Sequence, residues 1–271
     1  MRIPIFQVDA FTATPFAGNP AAVCTLAEWL PDDVLLAIAA ENALSETAFL
    51  VADSAAHPSP AGADHHLRWF TPAIEVELCG HATLASAHVL LTHLHPGLDT
   101  VSFDTLSGRL EVHREGDRLR MDLPALPPDA VEAPPALVEA LGVAPVEVLA
   151  AGRWLVVLDS EAQVVGLSPD IAALAGLDPP YVIVTAPGDP AGSGADFVSR
   201  FFAPGAGVAE DPVTGSAHCV LTPYWADRLG RPRLHARQVS ARGGDLDCEL
   251  AGDRVVLRGR CANYLEGTIT I

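Results

Sequence analysis

The first half of the chain opens with a strand pattern and continues with two helical patterns. Apolar and polar residues alternate from Ile3 to Ala10, as in a half-buried strand. Helical periodicity spans Leu30–Asn42, with Pro31 near its start, and the apolar run His81–His93 predicts a buried helix. Further strands are predicted over Thr47–Val51, Leu67–Phe70, Thr100–Asp104, Arg109–Arg114 and Arg118–Leu123. This half is therefore predicted to place strands around two helices.

A proline-rich segment separates this half from the rest of the chain. Prolines recur throughout residues 124–135, and at this density they stop strands and stiffen the backbone. We therefore predict an N-terminal half of residues 1–123, a linker of residues 124–135 and a C-terminal half of residues 136–271. The last strand of the chain is a candidate to pair with the N-terminal half.

The C-terminal half repeats the plan of the first. One long apolar helix is predicted at Thr214–Leu229, at the place that His81–His93 occupies in its own half. Strands are predicted over Arg153–Leu158, Tyr181–Thr185, Phe197–Phe202, Ala236–Ala241, Asp247–Leu250, Arg254–Gly259 and Leu265–Ile271. Many strands around one apolar helix in each half favour an α+β fold.

The two apolar helices begin in a similar way. Cys79-Gly80-His81-Ala82-Thr83 precedes the first, and Glu210-Asp211-Pro212-Val213-Thr214-Gly215-Ser216 precedes the second. Small residues leave the N–H groups of each first turn accessible, and these groups, with the helix dipole, favour an anion such as a carboxylate. Two such helix starts suggest a duplicated fold with one site between the halves.

Composition narrows the classes of partner. The 271 residues carry a net charge of −18, from 34 acidic and 16 basic residues, and every basic residue is arginine. An acidic surface repels nucleic acid and anionic lipid, whereas a small anionic substrate can still bind at a helix start. No apolar run approaches the ~20 residues of a membrane span. Five scattered cysteines argue against a disulfide framework, so a cytoplasmic protein is expected.

Three polar residues are candidates for acid–base chemistry. Glu46 precedes an apolar strand, where partial burial would make it a usable proton carrier, although a solvated turn residue is the simpler interpretation. Asp211 is held extended by Pro212 and is either a substrate-facing carboxylate or an ordinary helix-start aspartate. His81 lies in a first turn, where the helix dipole is expected to lower its pKa and leave a neutral imidazole, the alternative being a core histidine bonded to backbone.

The cysteines and the Gly18-Asn19-Pro20 turn give weaker indications of function. Cys79 and Cys219 could form the thiol pair of a racemase, but Cys219 lies a turn inside its helix, so the pair is predicted to be broken. Cys79-Gly80-His81 lacks the spacing of a metal site, and no metal is expected. Gly18-Asn19-Pro20 is predicted to be a tight turn between strands, with no role of its own.

Taken together, the motifs resemble a known family, the phenazine-biosynthesis isomerase (PhzF-like) family of the diaminopimelate-epimerase-like fold. They occur in the family's order from residue 6 to residue 217. The matching segments are Phe6–Phe11, Gly18–Pro20, Ser45–Phe49, Gly80–Thr83, Arg200–Pro204 and Glu210–Ala217. Each segment alone is a weak signal, whereas the ordered set is specific.

The resemblance implies two pseudo-symmetric domains, each a mainly antiparallel rolled sheet around a central helix. It also implies a homodimer without a cofactor. By the same resemblance Glu46 is the proton shuttle, while His81 and Asp211 bind substrate and assist proton transfer. The substrate-binding positions that it implies are Ser45, Gly80, Gly215 and Ser216.

The function expected from these features is isomerisation by general acid–base catalysis on a small carboxylate-bearing substrate. The resemblance implies trans-2,3-dihydro-3-hydroxyanthranilate or an analogue. One alternative is an amino-acid or hydroxy-acid racemase or epimerase that uses Glu46 with Asp211 or Cys79. A second alternative is a binding protein without catalysis on the same scaffold.

Overall fold

The computed structural model describes residues 1–271, which form two compact units. Unit 1 comprises Met1–Asp122 and Arg258–Ile271, and unit 2 comprises Leu123–Leu257. The strands are β1 Arg2–Ala10, β2 Asn19–Leu26, β3 Glu46–Ala52, β4 His65–Phe70, β5 Glu75–Val76, β6 Thr100–Thr105, β7 Gly108–Glu115, β8 Arg118–Pro124, β9 Asp129–Ala130, β10 Glu147–Ala150, β11 Trp154–Val157, β12 Val182–Pro187, β13 Phe197–Ala203, β14 Val208–Asp211, β15 Arg233–Gln238, β16 Gly244–Ala251, β17 Arg254–Gly259 and β18 Cys261–Thr270. The helices are α1 Asp32–Asn42, α2 Gly80–Val89, α3 Pro135–Leu141, α4 Glu161–Gly166, α5 Ile171–Ala175 and α6 Gly215–Leu229.

Unit 1 is a sheet wrapped around α2. Strand β1 pairs antiparallel with β2 and β18, β2 runs parallel to β3, and β3 pairs antiparallel with β4. Helix α2 packs against β1, β2, β3 and β18, and all its residues from His81 to Val89 are buried except His88. A π-helical turn, Leu90–Leu94, continues α2, so the predicted helix His81–His93 is present with a widened last turn.

Helix α1 covers the outer face of this sheet. It begins after Pro31, as its sequence predicts, and buries Leu35 and Ile38. These two residues belong to an apolar cluster that includes Phe49 and Phe70, whose rings meet edge to face. Burial of each such side chain contributes roughly 1.5–3 kcal/mol. The sheet is therefore covered on both faces.

The boundaries of the units differ from the division predicted from the sequence. Residues 258–271 belong to unit 1, because β18 pairs with β1 along its whole length, from Arg2↔Thr270 to Ala10↔Cys261. The pairing slips by one residue between Gln7 and Val8, where β18 carries a bulge. The two ends of the chain therefore form neighbouring strands.

Unit 2 has a mixed sheet with α6 on one face and short helices on the other. Strands β10 and β11 form a hairpin, β11 runs parallel to β12, and β13 runs parallel to β15. Helices α3, α4 and α5, which the sequence pattern did not predict, cover an apolar cluster containing Val184 and Phe202. On the opposite face, Trp225 of α6 stacks on Phe197 with 5.6 Å between ring centroids.

A proline inside α6 ties the proline-rich segment to this helix. Pro223 has no N–H, so the carbonyl of Cys219 receives no intrahelical hydrogen bond from it. That carbonyl accepts a hydrogen bond from the N–H of Leu126 instead, at 2.9 Å. The segment predicted as a linker is therefore anchored on unit 2. None of the helices is long and apolar enough to cross a membrane.

Candidate active site

Three elements of unit 1 bring Asn19, Glu46 and His81 together. Asn19 is the first residue of β2 and Glu46 is the first residue of β3. Because β2 and β3 run parallel, with Ala21 opposite Glu46, both strands start at the same edge of the sheet. Helix α2 starts there too, with His81 as its second residue.

Glycine makes the turn that leads to Asn19. Gly18 has a φ of +65°, a conformation that costs a residue with a Cβ free energy. A Cβ at this position would also lie 2.2 Å from the carbonyl oxygen of Ala10. Only glycine therefore fits between the end of β1 and the start of β2.

His81 lies between a carboxylate and two other polar groups. Its Nε2 is 3.1 Å from Oε2 of Glu46, an ion-pair contact that is not aligned as a hydrogen bond. Its Nδ1 is 3.2 Å from Nδ2 of Asn19 and 3.4 Å from Sγ of Cys79. Asn19, His81 and Cys79 are buried, and the Glu46 side chain is 15% exposed. Poor alignment of a catalytic contact is common in an unliganded site.

The charge state of His81 differs from the expectation based on the helix dipole. Burial by itself lowers the pKa of His81, but the neighbouring Cys79 and Glu46 outweigh burial and hold the pKa well above its usual range. The prediction of a neutral imidazole was wrong, because the sequence does not reveal that Glu46 lies against Nε2.

Cys79 is a poor thiolate in this environment. Burial is the largest cause that raises the pKa of its thiol, and the charge of Glu46 raises it further. Cys219 lies in unit 2, where burial raises the pKa of its thiol to about 12, and its Sγ is 3.8 Å from the carbonyl oxygen of Gly215. Both thiols are therefore protonated near neutral pH.

Glu46, Cys79 and His81 also carry atoms of the kinds that bind metal ions. Ligand atoms of Glu46, Cys79 and His81 lie within 4.8 Å of one another. However, the carboxylate faces Nε2 and the sulfur faces Nδ1, and one imidazole offers a single ion only one of these nitrogens.

Asn19 is a site residue that sequence reasoning missed. The sequence predicts a turn at Gly18-Asn19-Pro20, but Asn19 is a fully buried strand residue in contact with His81. An amide can donate through Nδ2 or, after rotation, accept through Oδ1, so Asn19 can face either protonation state of the ring. The available signal was a polar residue next to an apolar run, Ala21–Cys24.

In unit 2, Asp211 lies beside the start of α6. Its carboxylate accepts a hydrogen bond from the hydroxyl of Thr214, the residue that precedes the helix. Gln238, which is fully buried, accepts from the N–H of Thr214 and donates to the carbonyl of Asp211, each at 2.8 Å. Gln238 was not a sequence candidate, and it fixes the segment between β14 and α6.

The remaining candidates lie at the starts of the two helices. Ser45 and Gly80 are half-buried neighbours of Glu46 and His81 in the chain. Gly215 is buried, and Ser216 is half-buried with its hydroxyl accepting from Arg153 at 3.1 Å. In each unit the residue before the helix is extended and makes no capping hydrogen bond with its side chain.

Similarity to solved structures covers the whole chain. The crystal structure of a PhzF-family phenazine biosynthesis protein from Enterococcus faecalis matches with a TM-score of 0.92 and 42% identity, over 100% of both chains. A hydroxyproline epimerase from Agrobacterium vitis has a TM-score of 0.61 at 13% identity, over 99% of this chain and 92% of its own, which shows a shared fold. These matches and the two sheets with their helices confirm the predicted α+β, epimerase-like fold.

Proteins that are similar to this chain in sequence also cover its whole length. A Pseudomonas aeruginosa protein named an uncharacterized isomerase is 52% identical over 269 residues, 99% of each chain. A human phenazine biosynthesis-like domain-containing protein is 44% identical over 100% of both chains. The family model described as phenazine biosynthesis-like protein matches residues 8–267. The chain therefore belongs to the phenazine biosynthesis-like (PhzF) protein family.

Proposed function

We propose that this protein is an isomerase that moves a proton by general acid–base catalysis on a small carboxylate-bearing substrate, without a cofactor. The substrate is trans-2,3-dihydro-3-hydroxyanthranilate or an analogue of it. The observation that carries the proposal is the 3.1 Å contact between Glu46 and the buried ring of His81. Membership of the PhzF family and relatives named isomerases support the reaction class.

In this mechanism Glu46 carries the proton. As a carboxylate in contact with His81, it takes a proton from an acidified carbon of the substrate. It then returns that proton to another carbon of the same molecule, so no redox step is needed. The proton leaves with its bonding electron pair retained on the substrate, where the carboxylate and the conjugated system disperse the charge.

Unit 2 contributes binding groups in this proposal. Asp211 would hold a polar group of the substrate, and the first-turn N–H groups at Gly215 and Ser216 would stabilise negative charge. Ser45 and Gly80 have the corresponding binding role in unit 1. We also expect the protein to form a homodimer, which light scattering coupled to size exclusion would test.

The test is proton NMR in D₂O with trans-2,3-dihydro-3-hydroxyanthranilate. We expect the wild-type protein to isomerise the compound and incorporate deuterium, and the Glu46→Gln protein to do neither. Glu41→Gln is a matched control, because Glu41 is an exposed glutamate of α1. Full activity of a folded Glu46→Gln protein would exclude Glu46 as the shuttle.

One structural observation favours a second candidate function. Sγ of Cys79 lies 3.4 Å from Nδ1 of His81 and the Glu46 carboxylate lies 3.1 Å from Nε2, so both bases of a racemase that uses Glu46 with Cys79 are present beside one ring. In that case, exchange at the α-carbon of an amino or hydroxy acid would be lost in Cys79→Ala and after thiol alkylation. Ligand binding without any exchange would instead support a non-catalytic binding protein.

A further inference from the structure

Arg153 lies at the tip of a hairpin in unit 2 and reaches the start of α6. The hairpin joins β10 to β11 through Ala151, Gly152 and Arg153, and Gly152 has a φ of +66°. The guanidinium Nη1 donates to the hydroxyl of Ser216 at 3.1 Å. The hairpin therefore positions a cation beside the second residue of the helix.

No carboxylate contributes to the charge environment of this guanidinium. The titratable groups that interact with it are the Cys219 thiol and the Tyr181 phenol. The carboxylate of Asp211 accepts a hydrogen bond from the Thr214 hydroxyl. The Nε of Arg153 is fully buried and has no hydrogen-bond partner. Burial without a counter-charge lowers the pKa of Arg153.

Other partly buried arginines of the chain are paired. Arg200 contacts Glu210 through two hydrogen bonds of 2.7 and 2.8 Å, and Arg68 contacts Glu75 in the same manner. An uncompensated buried cation costs free energy, whereas a paired one recovers much of that cost. Arg153 thus differs from these arginines in lacking the anion that would complement it.

Three kinds of hydrogen-bond donor lie close together at the start of α6. Arg153 supplies a guanidinium, Ser216 supplies a hydroxyl that can donate while accepting from Arg153, and the first turn supplies the N–H groups of Gly215 and Ser216. Ser216 is half-buried, so solvent can reach the site. A planar guanidinium is a good donor to the oxygens of a carboxylate.

We propose that Arg153, Ser216 and the first turn of α6 form a carboxylate-binding subsite in which Arg153 is the counter-ion. The inference rests on the proposed function only in identifying that carboxylate as the substrate's own. In the proposed reaction, Arg153 orients the substrate through its carboxylate and determines the preference for that group. An amide or ester of the substrate would then bind poorly.

The test measures binding in the absence of turnover. Benzoate and the neutral benzamide serve as probes, titrated into ¹⁵N-labelled protein while the arginine side-chain N–H signals are followed by NMR. The Arg153 signal is identified by its absence in Arg153→Lys. We expect benzoate, but not benzamide, to shift it, and Arg153→Met to weaken benzoate binding about tenfold or more. Arg153→Lys, which keeps the charge, should bind with intermediate affinity.

Two further variants distinguish the carboxylate subsite from a general charge effect and from the proposed proton shuttle. Arg231→Gln removes one positive charge from unit 2, where Arg231 is an exposed partner of Asp196, and should bind benzoate like the wild type. Glu46→Gln should also bind benzoate, even though it should lose hydrogen exchange. Exchange retained in Glu46→Gln would refute the proposed shuttle and leave the subsite standing. Unchanged benzoate binding in Arg153→Met, no saturable binding to the wild type, or preference for inorganic phosphate would overturn the subsite.

Discussion

The side-chain amide of Asn19 lies 3.2 Å from Nδ1 of His81, while Oε2 of Glu46 lies 3.1 Å from Nε2 of the same ring. The imidazole is thus held from both sides by residues that start two parallel strands. Both nitrogens are constrained, so the ring cannot rotate without losing a contact. This arrangement links the orientation of His81 to the edge of the sheet.

Removal of the Asn19 amide should therefore destabilise unit 1 and remove one of the contacts that orient the His81 imidazole. We expect Asn19→Ala to lower the free energy of unfolding by about 1–3 kcal/mol, because a buried ring nitrogen loses a partner. Urea denaturation measures this change. Asn42→Ala is a matched control, since the half-buried Asn42 amide donates to Thr47 at 3.1 Å. Equal losses in the two variants would argue against a special role for Asn19.

The raised pKa of His81 should depend on Glu46. Replacing Glu46 by Gln removes the negative charge beside Nε2, so the pKa of His81 should fall. Histidine ring NMR as a function of pH measures this shift. Glu41→Gln, at an exposed position of α1, should leave the His81 titration unchanged. A His81 titration unaffected by Glu46→Gln would contradict the observed pairing.

Gly18 should tolerate no side chain. In Gly18→Ala, the new Cβ would meet the Ala10 carbonyl in addition to the cost of the positive φ. Gly62→Ala provides the control, because Gly62 has a φ of +64° but a Cβ added there would meet no atom within 4 Å. We expect Gly62→Ala to cost about 1 kcal/mol and Gly18→Ala clearly more. Thermal unfolding of both variants compares the two costs.

Stability should fall in mild acid because of His218. Burial lowers the pKa of His218 to about 4, its Nδ1 donates to the Thr214 carbonyl at 2.8 Å, and its Nε2 meets no partner. The unfolded chain binds a proton near pH 6.5 and the folded one near pH 4, so stability is lost as pH falls between these values. The loss from this residue is roughly 3 kcal/mol.

Urea denaturation between pH 7 and pH 4 tests this dependence. His218→Asn should show a shallower decline, whatever its stability at neutral pH, because it cannot titrate in this window. His88, whose pKa burial also lowers to about 4, should account for part of the remaining decline. An unchanged slope in His218→Asn would show that His218 is not buried as a neutral ring.

Local patterns in the sequence determined much of the architecture. Helical periodicity located α1, and apolar runs located α2 and α6, because these two helices are buried along most of their length. The ordered motifs around Glu46, His81 and Asp211 identified the family, since short motifs can be recognised from the sequence alone. These features depend on residues that are close together in the chain.

The tertiary structure decided what depends on distant residues. The pairing of β1 with β18 moved residues 258–271 into unit 1, and the parallel pairing of β2 with β3 brought Asn19 to Glu46 and His81. The charge of His81 and the unpaired state of Arg153 follow from such contacts. The spacing of apolar residues indicates which face of a helix or strand is buried, but it does not indicate which residues pack against that face.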